Sequence, residues 1–195
     1  MMKKFFYVHE RLATVLGMLL VLVVLVGCCA ICDIPANNTS EVPEPEPPKY
    51  VLSEEEKELM SCVLWTEAGI NSDQLKVACA SVMLNQLDSG WYGATITEVL
   101  TRPGAYAGYA KYADEYDYSD YSVVVASVHA IAKANDLNRC RAIVNQLCQN
   151  GSELPTYIWF FAIGGHPWGG LQTYNDIEGV YFQYFPESLR EQEWH

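Results

Sequence analysis

Between Leu12 and Ile31 the chain reads LATVLGMLLVLVVLVGCCAI, 20 residues without a charged side chain. A helix of that length crosses a hydrocarbon core, and a buried globular helix would carry a polar stripe that this run lacks. The run predicts a transmembrane helix and leaves only the residues after it for a folded body. Lys3, Lys4 and Arg11 precede the run and acid follows it, which by the positive-inside rule places that body outside the cytoplasm. Residues 1–32 hold three basic side chains and one acidic, whereas the other 163 hold nine and 23. Leu25-Val26-Gly27-Cys28 also matches a bacterial lipobox, so a lipoprotein lipidated at Cys28 stands beside the uncleaved anchor. The length of the run and its basic flank favour the anchor, and both readings tether the body.

The chain divides into a basic flank (1–11), the anchor (12–32), a spacer (33–50), a globular domain (51–190) and a short tail (191–195). In the spacer Pro43, Pro45, Pro47 and Pro48 alternate with Glu41, Glu44 and Glu46. Such a stretch buries no core and favours an extended polyproline II path. Half of all residues are hydrophobic, which excludes disorder for the whole chain. A net charge of −12 argues against a nucleic-acid partner, since phosphate binding needs a basic face. Cys28, Cys29 and Cys32 lie at the membrane end and Cys62, Cys79, Cys140 and Cys148 in the body. Those four permit disulfides in three pairings, and spacing does not choose among them. With no CxxC or His/Cys ligand pattern, neither a metal site nor a cofactor is expected.

Ser53 and Glu56 form a capping box that opens a helix running to about Glu67, with Leu59, Met60, Val63 and Leu64 as its apolar stripe. A second helix starts near Asn71 or Ser72 and runs through LKVACASVMLNQL, apolar on most sides and therefore central. Thr95 and Glu98 form another capping box, on a short helix closed by Arg102-Pro103-Gly104. A Tyr-rich loop follows, then a long helix from about Ser119 to Asn135 and one more over Arg139–Gln149. Tyr157–Ile163 and Val180–Phe185 read as strands, joined by the glycine-rich connection GGHPWGGLQTYND. The sum is α+β: a helical body with a small C-terminal sheet or hairpin, preceded by one transmembrane helix.

Glu67 is the leading candidate for chemistry. It lies four residues after Val63 and eight after Leu59, so its carboxyl follows the buried stripe to a helix end where a cleft can open. Burial there raises a carboxyl pKa, as a general acid requires. Asn85 either binds an N-acetyl group or caps its helix. Tyr106 and Tyr109 head the Tyr-rich loop and are expected to stack on sugar faces rather than to fill a core. His166 and Trp168, in the glycine-rich connection, are candidates for lining a subsite. Asp114, Glu115, Asp117 and Asp120 read as a solvated acidic run, and His129 as structural.

From Met60 to Phe185 the chain resembles the SleB-type cell wall hydrolase family, the catalytic domain of spore cortex-lytic enzymes and many phage lysins. VLWTEAGINSDQLKVACASVMLNQL resembles the family's Glu-Ala-Arg-Gly or Glu-Ala-Gly turn followed by a helix ending in Val-x-Asn-Arg. TITEVLTRPGAYAGY resembles the block ending in Pro-Gly-Gln-Phe-Ser, and YIWFFAIGG with IEGVYFQYF resembles the two closing strands. The resemblance implies a lysozyme-like domain that cleaves peptidoglycan glycan strands without metal, largely as a lytic transglycosylase, with Glu67 on the family's catalytic glutamate. Ala105-Tyr106 replaces the family's Gln-Phe, Gln86 its Arg, and Gly179-Val180 its Asn-His. The loss of an amide at Ala105 motivates the alternative, a non-catalytic wall-binding or assembly protein that retains the fold.

Overall fold

The computed structural model describes residues 46–114, 117–164 and 166–187. The expected anchor at Leu12–Ile31, most of the expected spacer and the tail lie outside these residues. Among the described residues no helix is long and apolar enough to cross a membrane.

Helix α1 (Glu54–Ala68) starts where Ser53 Oγ accepts the Glu56 N–H and Glu56 returns a carboxylate to the Ser53 N–H. Glu54, Glu55 and Glu56 meet the positive end of the helix dipole. Ser72 caps α2 (Asp73–Ser89), which ends at Gly90 in the left-handed conformation, with the Gly90 N–H returning to Leu87 O. As its all-round apolar sequence predicts, α2 is central: Leu75, Cys79, Ala80, Val82, Met83 and Leu84 are buried on successive faces. Thr95 and Glu98 box the start of α3 (Ile96–Thr101), and Pro103 prevents its continuation.

The loop after α3 contains one short helix, α4 (Ala107–Ala110). The long helix expected over Ser119–Asn135 is instead two elements. Helix α5 (Tyr121–Ile131) stops at Ala132 and Lys133, both extended, and α6 (Ala134–Asn150) turns back. The reason is packing, because α6 lays Leu137, Cys140, Val144 and Leu147 against α1 and α2, which a straight continuation could not reach. Chain upstream of α1 is tied to the same helix end, where the Lys49 and Tyr50 N–H groups donate to Gln149 O and Cys148 O. Tyr50 Oη donates to Asp88 at 2.6 Å.

A three-stranded antiparallel sheet closes the fold, in the order β1 (Phe160–Ala162), β3 (Val180–Tyr184), β2 (Gln172–Ile177). Strand β2 lies inside the stretch expected to be a glycine-rich connection. A two-residue turn with positive φ at both Glu178 and Gly179 joins β2 to β3, the geometry that matches strand twist. Phe161 pairs with Phe182, and the fully buried Phe182 carries the sheet onto the helical core. The architecture is therefore α+β. Cys62, Cys79, Cys140 and Cys148 are all buried free thiols.

Candidate active site

Glu67 occupies the last turn of α1, where the stripe of Leu59, Val63 and Leu64 reaches the edge of the core. Its carboxyl meets α4, and the Gly108 N–H donates to Oε1 at 2.7 Å. Only glycine permits that approach, because a Cβ at position 108 would stand 2.2 Å from Thr66 Oγ1 and 2.9 Å from Glu67 Oε1. Burial pushes the Glu67 carboxyl above its ordinary pKa, and the Gly108 N–H, which favours the anion, only partly opposes this.

A cleft of about 500 Å³ opens over this carboxyl, between α1 and α4 on one side and Phe161, Ile163 and Trp168 on the other. A second depression, walled by Trp65, Ile70, Asn71 and Tyr112, shares Glu67, Gly108 and Lys111 with it. Among the described residues lining the two, Glu67 is the one carboxylate and Lys111 the one cation. A half-buried carboxyl with a raised pKa beside open space holds its proton to higher pH than an exposed one and can deliver it to a ligand oxygen.

The other sequence candidates divide. Trp168 lines the cleft with half its surface exposed, and its backbone is held on both sides by the fully buried Gln183, which accepts from Trp168 N and donates to Trp168 O. His166 is exposed in the same loop and does not line the cleft. Asn85 is fully buried, its amide donating to Pro155 O at 2.8 Å and Ile158 O at 3.0 Å. It ties the approach to β1 onto α2, so both expected roles, contact with an N-acetyl group and capping of the helix, are corrected to a tie between distant segments.

Tyr106 and Tyr109 are also corrected. Tyr109 is fully buried and donates to Tyr118 O. Tyr106, only 2% exposed, donates to Gln86 Oε1 at 2.6 Å, while Gln86 Nε2 donates to Trp159 O. Burial first, and the Glu67 carboxyl second, raises the Tyr106 hydroxyl far above its ordinary pKa, which keeps it a donor. These rings are core because the chain after α3 folds inward over α2, which a run of tyrosines spaced along a loop does not disclose. Two of the resemblance's departures, Gln86 and Tyr106, thus bond to each other. Ala105 lines the cleft with a methyl where the family carries an amide. Gly108 and Gln183 escaped sequence reasoning, since each works through a partner distant in the chain.

One group of side chains among the described residues has donors suited to a metal. Glu58, Cys62 and His129 offer ligand atoms within 4.8 Å of one another. The Arg141 guanidinium already holds Glu58, with Nε donating at 2.8 Å, and its Nη2 lies 3.4 Å from His129 Nε2. Positive charge is in place there, and a metal cation would have to displace it. Compared with known proteins, the chain matches no family model, no curated protein and no solved structure.

Proposed function

We propose that the protein is a membrane-anchored enzyme that cleaves the glycan strands of peptidoglycan between N-acetylmuramic acid and N-acetylglucosamine, as a lytic transglycosylase with a lysozyme-like domain. The observation that carries this reading is Glu67, a carboxyl with raised pKa on an open cleft that no second carboxylate lines among the described residues. Ordinary glycosidases need two carboxylates. A transglycosylase needs one, because the substrate supplies the other groups. Glu67 gives its proton to the glycosidic oxygen, which leaves with the N-acetylglucosamine unit. The muramic N-acetyl oxygen closes on the anomeric carbon and holds its charge. The ionised Glu67 then takes the proton from the muramic C6 hydroxyl, whose oxygen displaces the N-acetyl oxygen and forms a 1,6-anhydro ring. The Gly108 N–H stabilises the carboxylate between the two proton transfers.

The resemblance at Val63–Leu87 and Thr95–Tyr109 supports the same reading, and the charge-free run at Leu12–Ile31 supports the tether. The test is to incubate the full chain with purified peptidoglycan and to weigh the products. Muropeptides with anhydro ends are expected, and reducing ends alone would replace the transglycosylase with a hydrolase. Intact strands that bind the protein and are never cut would favour the wall-binding alternative. Protease added to intact spheroplasts is expected to digest the body, and protection would overturn its placement outside the cytoplasm.

A further inference from the structure

A row of aromatic rings leads away from the Glu67 cleft along the sheet side of the molecule. Trp168, which lines that cleft, lies 5.9 Å from Phe160, Phe160 lies 5.2 Å from Phe185, and Phe185 lies 6.2 Å from Trp159. Trp159 lies 5.3 Å from Trp91. The two ends of the row, Trp168 and Trp91, each keep half of their surface exposed. Single exposed aromatics are ordinary, but a connected row is not. The depressions beneath it join: one shares Phe161 and Trp168 with the Glu67 cleft, and the next shares Tyr92 and Arg102 with the first.

Arg102 gives the row its chemistry. Among the described residues, Arg139 and Arg141 are both spent on carboxylates, Asp73 and Glu58. Arg102 instead lies over the Tyr92 ring at 4.8 Å, lines both depressions, and has no carboxylate partner among the described residues. In a chain of net charge −12, a guanidinium left unpaired in an apolar groove selects an anionic occupant. Flat rings suit the apolar faces of sugars.

We infer that the groove from Trp168 to Trp91 is a binding subsite for a carboxylate-bearing glycan, with Arg102 holding the free lactyl carboxylate of a peptide-stripped muramic acid unit remote from the bond that is cut. This rests on the glycan-cleaving reading above and extends it, because it makes the enzyme favour strands whose muramic acid has lost its peptide. Trp91 contributes the terminal stacking face, and Tyr92 holds the guanidinium in place.

The test uses the full chain in mild detergent carrying Glu67→Gln, so that ligand stays intact, with calorimetric titration of two probes. One is a peptide-free tetrasaccharide of alternating N-acetylglucosamine and muramic acid with free carboxylates. The other is the same sugar with its carboxylates converted to methylamides. Adding Arg102→Gln is expected to weaken the free-acid probe about tenfold and to leave the methylamide within twofold, whereas Arg102→Lys recovers part of the loss. Trp91→Ala is expected to weaken both probes alike. Equal effects of Arg102→Gln on the two probes, or none on either, would overturn the subsite. So would a change in oligomeric state on Trp91→Ala without loss of sugar binding, which would make the groove a contact between copies. If anhydro products form normally in Arg102→Gln and Trp91→Ala chains and probe binding is unchanged, the subsite fails and the enzyme stands. Binding with the expected dependence but no cleavage by the parent chain leaves the subsite standing and removes the enzyme.

Discussion

Glu58 and Glu67 lie partly buried on helix α1, nine residues apart, and their surroundings push them in opposite directions. Glu58 is held by Arg141, with His129 adding a second bond, and these partners keep its carboxyl below the usual range against the opposing effect of burial. Among the described residues no cation bonds to Glu67, which accepts from the Gly108 N–H, and burial raises it. The same residue type on the same helix is thus biased toward the anion at one end and toward the protonated acid at the other. The difference lies in what each carboxyl meets across the fold, since local sequence treats them alike.

The contrast is most sharply broken by exchanging each carboxyl for an amide. Glu67→Gln keeps shape and removes the transferable proton, so strand cleavage is expected to drop by about 10²–10⁴-fold, measured by release of soluble muropeptides. Its melting temperature should hold or rise. Undiminished cleavage would move the acid elsewhere. The parent should lose activity on the alkaline side as pH passes the raised Glu67 value.

Gly108→Ala attacks the surroundings of Glu67 while leaving the carboxyl in place. The added methyl must push Thr66 and Glu67 aside, which is expected to cost about 1–3 kcal/mol of stability by thermal melting and to lower turnover with it. Tyr106→Phe should cost about 1–2 kcal/mol, because it leaves the buried Gln86 oxygen without its donor. A neutral outcome would return Tyr106 to the ligand-facing role that its position in the loop suggested.

Glu58→Gln should be the mildest. The Arg141 and His129 partners are more than one-third exposed, so the loss is expected near 0.5–1 kcal/mol and should shrink in high salt. Denaturation followed against pH separates the two glutamates by sign. A lowered carboxyl adds stability above the ordinary carboxyl range and loses it as pH falls through the lowered value, so that loss should vanish in Glu58→Gln. A raised carboxyl does the reverse. Its folded state is favoured at low pH and loses ground as pH climbs from the ordinary value to the raised one, so that decline should vanish in Glu67→Gln. Matching profiles for the two variants would erase the comparison.

Features written in a few adjacent residues were legible before the structure. Ser53 with Glu56, Ser72, and Thr95 with Glu98 open their helices because caps act over three or four positions. The position of Glu67 at the end of an apolar stripe was legible for the same reason, but its Gly108 donor, 41 residues away, was not. The break between α5 and α6 falls at Ala132-Lys133, without a glycine or proline to mark it, and comes from the pull of α6 toward α1 and α2. Strand β2 was missed because five of its six residues are exposed and show no alternation, and because its turn places Glu178, a residue without turn preference, at φ 54°.

The short stretch before α1 has a mechanical consequence. Glu46, Lys49 and Tyr50 lie alongside the last turn of α6, bonded through Gln149 Nε2, Gln149 O and Cys148 O, and Tyr50 Oη is moored to Asp88 on α2. Tension arriving along the upstream chain would be taken up by this clamp, and would pass into α6 and α2 before it reached the start of α1. Glu67 lies a further 13 residues along that helix, about 20 Å at the α-helical rise. On the proposed tether, a pull from upstream is therefore expected to leave the geometry around the carboxyl unchanged.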